Sequence, residues 1–368
     1  MRPLRLRALR LRALRLRALR LRALRLHLLR RALARGALVL AGVGACACTS
    51  RPAALPARPP LPHEAGAYAS PGTALAPMDD VLVRRTAAAE VRDLRVLPRL
   101  PEDLAGLPHA GDPIAVRLWL PRGPWPGPRP LVLMSPILAN NELVVADLAS
   151  ACARRGWMAA VVQRKDLAFD PDVALERAED ELRLLVLRSR QALDTLLLRP
   201  DVDPSRLATC GVSAGAIVSA LVAGADPRLT AHAWLLAGGP LADVMTDTSE
   251  GRFQRWGAAL RARHGWDREE VRRRLQASLA PDPVALARHV PAESVLLVLA
   301  RGDRSVPTRQ GLALWEALGR PRLTLLPGGH YLALAALPWL VPQVTGFLAQ
   351  RLEGPPACRG RGAHAPRR

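Results

Sequence analysis

The residue best suited to covalent chemistry is a serine held between two glycines, in Gly211-Val212-Ser213-Ala214-Gly215. The pentapeptide follows an apolar run and precedes another, and this order predicts a strand, a tight turn and a helix. Glycines at positions 211 and 215 remove the side chains that would collide in such a turn. The turn would present the hydroxyl at a helix N-terminus, where backbone amides face negative charge. We therefore interpret Ser213 as a nucleophile, the alternative being an ordinary glycine-bounded turn.

A serine hydroxyl needs a general base, and His330 is the histidine best placed to supply one. It ends the run Leu323-Thr-Leu-Leu-Pro-Gly-Gly-His330, which reads as a strand followed by a glycine-rich loop. A structural histidine is the alternative interpretation. The other histidines fall in the leader, the linker, an early loop, the start of a strand, a helical insertion or the tail: His27, His63, His109, His232, His264, His289 and His364.

An acid must orient the base, and Asp303 follows a strong apolar strand in the second half of the chain, residues 295–300. An aspartate where a strand meets a loop can accept an imidazole N–H without being buried in the sheet. The span from Asp303 to His330 has room for one helix and one strand. Asp243 and Asp247, which follow the strand predicted at 233–237, are rival acids, and a plain turn aspartate is the remaining alternative.

The elements that position these residues alternate between strands and helices, and several of the later strands are continuous apolar runs. That pattern predicts a doubly wound, mostly parallel α/β sheet, with a helical insertion or lid near 241–292. Strands are predicted near 91–97, 114–120, 131–135, 158–163, 207–210, 233–237, 294–300 and 322–326. Helices are predicted near 143–155, 174–198, 214–223, 309–318 and 332–352.

The order serine, acid, histidine on such strand ends resembles the α/β-hydrolase superfamily from about residue 112 to 350. A similarity to dienelactone-hydrolase-like and acyl-esterase-like members rests on residues 130–162 and 199–207. The resemblance implies that the Ala214 amide forms one half of an oxyanion hole. The second donor would follow the strand at 131–135; Pro136 has no N–H, so Ile137 is the first choice and Leu138 the alternative.

The ends of the chain read as targeting and tether segments. Residues 1–45 combine an arginine-rich low-complexity leader with a short apolar stretch, and the ending Val43-Gly44-Ala45-Cys46 resembles a bacterial lipobox with Cys46 as the lipidated residue. Residues 46–77 form a Pro/Ala-rich tether, 78–352 the hydrolase domain, and 353–368 a basic disordered tail. We expect a lipid-anchored protein of the bacterial cell envelope, facing the periplasm or the exterior; plain secretion or a non-cleaved anchor are the alternatives.

A net charge of +21 would be typical of a nucleic-acid-binding protein, but here the positive charge is concentrated at the two ends of the chain. Residues 1–35 hold 13 arginines without an acid, and residues 351–368 hold five arginines and one glutamate. The remaining 35 basic and 31 acidic residues nearly cancel, so no nucleic-acid partner is expected. No Cys/His cluster has zinc spacing, and no metal or other cofactor is expected. Five cysteines imply no disulfide framework.

These residues predict a serine hydrolase that cleaves carboxylic esters or thioesters through an acyl-serine intermediate. A serine peptidase or an acyltransferase would use the same intermediate, and the sequence does not separate them. A non-catalytic surface lipoprotein that binds a ligand is the third reading. The expected partner is a small-molecule or acyl substrate, and the oligomeric state is not readable.

Overall fold

The computed structural model describes residues 68–69, 74–138, 143–164, 172 and 174–353, which form one nine-stranded sheet with helices on both faces. The leader, Cys46, most of the tether and all but the first residue of the tail lie outside the described residues. The strands are β1 (Asp79–Arg85), β2 (Ala89–Val96), β3 (Ile114–Pro121), β4 (Arg129–Ser135), β5 (Met158–Val162), β6 (Val202–Val212), β7 (Ala231–Leu235), β8 (Val295–Ala300) and β9 (Arg322–Leu326).

The sheet has the strand order β1-β2-β3-β5-β4-β6-β7-β8-β9. Strands β1 to β3 pair antiparallel, β5 pairs antiparallel with β3, and every pair from β5 through β9 is parallel. The central strands are buried along their whole length, which explains their continuous apolar sequences. The predicted doubly wound, mostly parallel sheet is confirmed.

The helices cover the sheet in two layers. Apolar side chains of α2 and α11 pack on one face, and those of α3, α4 and α9 pack on the other. The helices are α1 (Glu102–Ala105), α2 (Leu143–Arg154), α3 (Arg177–Leu197), α4 (Ala214–Ala225), α5 (Leu241–Asp247), α6 (Gly251–His264), α7 (Arg268–Ser278), α8 (Pro283–Leu286), α9 (Thr308–Ala317), α10 (His330–Ala335) and α11 (Leu337–Leu352).

The predicted insertion at 241–292 is helical and lies between β7 and β8. It contains α5 to α8, and its helices α5, α6 and α7 pack on one another through a core around Trp256, Leu260 and Leu275. The carboxylate of Asp282 caps α8 and accepts the Leu241 amide, so the end of the insertion is tied to its beginning. Within the described part of the chain, no helix is long and apolar enough to cross a bilayer.

The structure differs from the sequence prediction in three places. Strand β1 was not predicted from the sequence. All seven of its residues are exposed and four are charged, so the segment lacks the apolar run that identifies the other strands. The four-residue helix α1 is also unpredicted. The helix predicted at 332–352 is two helices, since α10 ends at Ala335 and α11 begins at Leu337 with a proline in its first turn.

Candidate active site

Ser213 sits between β6 and α4 in a conformation that a side chain rarely adopts. Its backbone has φ 56° and ψ −128°, and its amide donates to the Leu235 carbonyl at 2.8 Å. Non-glycine residues with positive φ persist only where the surroundings hold them, and such positions concentrate at functional sites. The turn therefore fixes the Ser213 hydroxyl at the carboxyl edge of the sheet, with the N-terminus of α4 beside it.

The two glycines of the pentapeptide are required by close backbone approach. A Cβ on Gly211 would lie 2.3 Å from the carbonyl oxygen of Gly215, inside the turn itself. A Cβ on Gly215 would lie 2.2 Å from the carbonyl oxygen of Ser135, at the end of β4. These contacts allow α4 to start directly after the serine and to pack against the end of the neighbouring strand.

His330 and Asp303 meet Ser213 in one chain of hydrogen bonds. Nε2 of His330 lies 2.9 Å from the Ser213 Oγ, and Nδ1 lies 2.7 Å from Oδ2 of Asp303. Both distances fit strong hydrogen bonds, and both His330 and Asp303 are buried, with 6% of each exposed. The structure thus brings together three residues that lie on separate strand ends.

The loop after β8 holds Asp303 in place. Its Oδ1 accepts the backbone amides of Ser305 and Val306, each at 2.9 Å, which leaves Oδ2 for the imidazole. The His330 loop is tied to the same segment, because the Gly302 amide donates to the Gly328 carbonyl at 2.7 Å. The two loops therefore form one unit. The sequence places His330 in a loop, whereas the structure begins α10 at this residue.

The rival acids are engaged elsewhere. The Asp247 carboxylate is buried among arginines and accepts hydrogen bonds from Arg268 and Arg272 at 2.8 and 2.7 Å. Asp243 forms an ion pair with Arg272 at 3.1 Å. Neither contacts the imidazole of His330, whose Nδ1 bonds to Asp303.

The predicted oxyanion donors flank the serine. Ala214 is the first residue of α4, and both Ile137 and Leu138 line the pocket in front of Ser213, so the choice between them stays open. A residue that the sequence did not single out supports this loop: the buried guanidinium of Arg164 donates to the Ile137 carbonyl at 2.8 Å and to the Pro136 carbonyl at 3.3 Å. Arg164 follows the end of β5, the strand next to β4.

Burial raises the pKa of Cys210, three residues before Ser213, to about 12, so that thiol is a weak nucleophile. Among the described residues, no group of three or more histidine, cysteine, aspartate or glutamate side chains could hold a metal ion.

The family described as the prolyl oligopeptidase family matches residues 190–326, a segment that contains Ser213 and Asp303. No curated protein matches the sequence. An acetyl xylan esterase from Paenibacillus sp. R4 superposes with a TM-score of 0.63 at 18% identity, covering 79% of this chain and 93% of the esterase. The chain has the α/β-hydrolase fold.

Two further solved structures align at similar identity. Acetyl xylan esterase 1 from Thermoanaerobacterium sp. JW/SL YS485 superposes with a TM-score of 0.55 at 17% identity, covering 72% of this chain and 89% of the esterase. The acylaminoacyl peptidase of Pyrococcus horikoshii superposes with a TM-score of 0.52 at 14% identity, covering 73% of this chain and 42% of the peptidase. The family match and the fold support the predicted serine hydrolase.

The pocket of this α/β-hydrolase is a cavity of about 280 Å³ directly in front of Ser213. The sheet side supplies Ser213 and His330, and the insertion supplies much of the opposite wall. Most of the surface is apolar, contributed by α3, α4, α5, α6, α10 and the loops. The apolar lining residues are Ile137, Leu138, Leu182, Ile217, Val218, Leu241, Val244, Met245, Phe253, Val306 and Leu334.

One carboxylate, Glu250, stands in this apolar lining. Its Oε1 accepts the hydroxyls of Tyr331 and Ser305, so the start of α6 is fastened to both loops that carry His330 and Asp303. Partial desolvation of the phenol and the neighbouring Glu250 carboxylate raise the pKa of Tyr331, which keeps it a hydrogen-bond donor. The amide of Ser249 completes the attachment by donating to the Arg304 carbonyl at 2.7 Å.

Proposed function

We propose that this serine hydrolase cleaves carboxylic esters of small acids through an acyl intermediate on Ser213. The hydrogen-bonded chain Ser213–His330–Asp303 is the observation that carries the proposal, because each atom stands where nucleophile, base and orienting acid are needed. In this proposal Nε2 of His330 takes the hydroxyl proton as Oγ attacks the ester carbonyl. Asp303 holds the imidazole through Nδ1–H and stabilises its positive charge after that transfer.

The second half of the cycle uses the same groups in reverse. The carbonyl oxygen becomes an oxyanion, which the amides of Ala214 and Ile137 are proposed to bind, and such donors contribute about 10²–10³ in turnover each. His330 then protonates the departing alcohol, leaving the acyl group on Ser213. A water molecule, deprotonated by the same Nε2, releases the acid and restores the serine.

The pocket supports an ester with a small, apolar acyl group. Its volume of about 280 Å³ lies just below the usual range for small-molecule sites, roughly 300–1,000 Å³. The acetyl xylan esterase of Paenibacillus sp. R4 aligns over 93% of its length, whereas the acylaminoacyl peptidase aligns over 42%. The likeness to an acetyl xylan esterase over nearly its whole length supports the esterase proposal, and the prolyl oligopeptidase family match keeps the peptidase as the alternative that the assay must test.

The test is hydrolysis of p-nitrophenyl acetate, butyrate and palmitate, alongside an acetylated amino-acid anilide. We expect turnover of the two short esters, little of the palmitate and little of the anilide. Ser213→Ala should remove at least about 10³ of kcat/KM, while Ser278→Ala on α7 should leave it unchanged. Ester hydrolysis that survives Ser213→Ala would contradict the proposal, and preferred hydrolysis of the anilide would indicate a peptidase.

The proposed location is the cell envelope, with a lipid on Cys46 and the domain held off the membrane by the tether. The short apolar stretch and the small residues before Cys46 support this, and the residue lies outside the described part of the chain. An alkyne analogue of palmitate should label the protein in its native host, and Cys46→Ala should abolish the label. Cys48→Ala is the matched control. Labelling that persists in Cys46→Ala would leave plain secretion as the better account.

A further inference from the structure

A second cavity, of about 500 Å³, lies on the other side of the Asp303 loop from the ester pocket. Helices α5, α6 and α7 of the insertion form one wall, and the loop after β8 together with Arg309 at the start of α9 forms the other. Met245, Thr248 and Phe253 line both spaces. We call this space the arginine cavity, after four arginines in its lining: Arg261, Arg268, Arg304 and Arg309.

The positive charge of the arginine cavity is only partly neutralised. Two carboxylates line it: Asp303, which is bonded to His330 and two backbone amides, and Asp247. Arg268 and Arg309 both pair with Asp247, which also binds Arg272 from outside the lining. Two acids therefore face four arginines, and both acids are already fully engaged.

Two of the four guanidinium groups have no acidic partner in the cavity. Neither Arg261 nor Arg304 has a side-chain hydrogen bond or ion pair within the part of the chain that the structure describes. They come from different elements, Arg261 from α6 and Arg304 from the loop after β8. Both residues are exposed, so a ligand can reach them, and a bound anion would give each an ion-pair partner. A guanidinium offers the planar fork of donors that suits carboxylate and phosphate oxygens.

The rest of the lining indicates what accompanies the anionic group. Phe253 of the insertion and Pro307 of the loop after β8 are partly exposed and present apolar surface to the cavity, whereas Trp256 lies buried behind it. An apolar surface beside unpaired guanidinium groups fits an organic anion better than a bare inorganic ion. We propose that the arginine cavity is a binding site for a small organic anion with a carboxylate or phosphate group, held by Arg261 and Arg304.

The test is equilibrium binding to the full chain carrying Ser213→Ala, measured by titration calorimetry with phenyl phosphate. Phenol is the neutral counterpart, and inorganic phosphate reports the anion alone. We expect phenyl phosphate to bind more tightly than either. Because the nucleophile is absent, the result does not depend on the proposed ester hydrolysis.

A matched pair of double variants locates the site. Arg261→Gln with Arg304→Gln should weaken phenyl phosphate binding by about tenfold or more. Arg255→Gln with Arg301→Gln removes the same charge from α6 and from the loop after β8, outside the cavity lining, and should change binding by less than about twofold. Equal weakening by both pairs would show nonspecific charge attraction and overturn the proposal, as would the absence of phenyl phosphate binding.

Turnover of p-nitrophenyl acetate by the active protein then distinguishes two sources of the anion. A rise in KM with phenyl phosphate would place the anionic group on part of the ester substrate that reaches past Phe253. An unchanged KM, with binding retained, would identify a separate anionic ligand. Either KM result is compatible with an anion site in the arginine cavity. In both cases the proposal requires that Arg261→Gln with Arg304→Gln weakens phenyl phosphate binding.

Discussion

The hydroxyl of Tyr331, the residue after His330, lies 3.0 Å from Oε1 of Glu250 on the insertion. The same carboxylate accepts the hydroxyl of Ser305, two residues after Asp303. The Glu250 carboxylate therefore attaches the insertion to the segments that carry His330 and Asp303, at the wall of the pocket. This arrangement gives Glu250 two separable properties, hydrogen bonding and charge.

Replacing Glu250 by Gln tests the charge, because an amide oxygen can still accept both hydroxyls. We expect kcat/KM for the p-nitrophenyl hemiester of succinate to rise about tenfold relative to p-nitrophenyl butyrate. Two unit charges about 6 Å apart at an effective dielectric of 20 interact by about 3 kcal/mol, and solvent in the pocket reduces that figure. Glu353→Gln, which removes a charge just after the end of α11 and outside the pocket lining, is the control. An unchanged ratio of the two esters would show that Glu250 does not influence acyl selection.

Arg164 is expected to act through the loop that carries Ile137. Arg164→Gln removes the charged donor from the carbonyls of Pro136 and Ile137, so the amide proposed to bind the oxyanion loses its support. We expect kcat for p-nitrophenyl acetate to fall by at least about tenfold, with KM nearly unchanged. The upper limit is the fall of about 10²–10³ in kcat that follows complete loss of one oxyanion donor. Circular dichroism checks the fold. A rise in KM at constant kcat would assign Arg164 to substrate binding instead.

The acid assignment can be tested by a direct comparison of two aspartates. Asp303→Asn should lower kcat by about 10²–10⁴, because the amide cannot hold the imidazole in the required tautomer. Asp247→Asn should lower stability, since it breaks the arginine cluster, while kcat per folded molecule stays within about twofold. Active-site titration provides the folded fraction. Loss of kcat in Asp247→Asn with full activity in Asp303→Asn would reverse the assignment.

Much of the site follows from the sequence because parallel strands end at one edge. Ser213, Asp303 and His330 each follow an apolar strand, so a parallel sheet brings them together whatever the loop details are. Strand β1 could not be found this way, because its residues are exposed and their alternation carries no hydrophobic signal. Its position depends on pairing with β2, which is a property of the folded sheet.

The roles of Arg164 and Glu250 could not be predicted from the sequence, for a different reason. Arg164 is one of many arginines in the chain, and nothing local marks it as buried. Its role follows from β5 lying beside β4, which brings the end of one strand next to the loop after the other. The contact between Glu250 and Tyr331 depends on how the insertion packs against the edge of the sheet. Hydrophobic periodicity predicts the helices of the insertion but not their position relative to the sheet.

Asp226, at the end of α4, provides a test of stability rather than catalysis. Burial would raise the pKa of this carboxyl, but hydrogen bonds and charge from Arg228, with the charge of Arg190, outweigh burial and hold it below the ordinary value. A lowered folded-state pKa contributes stability above the unfolded-state value, near pH 4, and that stability is lost as pH falls through the folded pKa.

We therefore expect Asp226→Asn to lower the free energy of unfolding at pH 7 by about 3 kcal/mol, the lower end of the cost of breaking a buried ion pair, because Asp226 is fully buried but Arg190 and Arg228 are partly exposed. The difference from the parent protein should shrink as the pH falls below about 4. Urea denaturation at pH 7 and pH 3.5 measures both values, with Asp203→Asn on β6, a more exposed aspartate, for comparison. A difference that is constant across this range would mean that the Asp226 charge does not stabilise the fold.

The most direct test of the central claim is the site of covalent labelling by a fluorophosphonate, found by peptide mass spectrometry. Such probes react with a serine that a neighbouring base has activated. The account predicts one adduct, on Ser213, formed at neutral pH and lost in Ser213→Ala and His330→Ala. An adduct on another serine, or an intact protein that takes up no probe, would contradict a Ser213–His330–Asp303 catalytic centre.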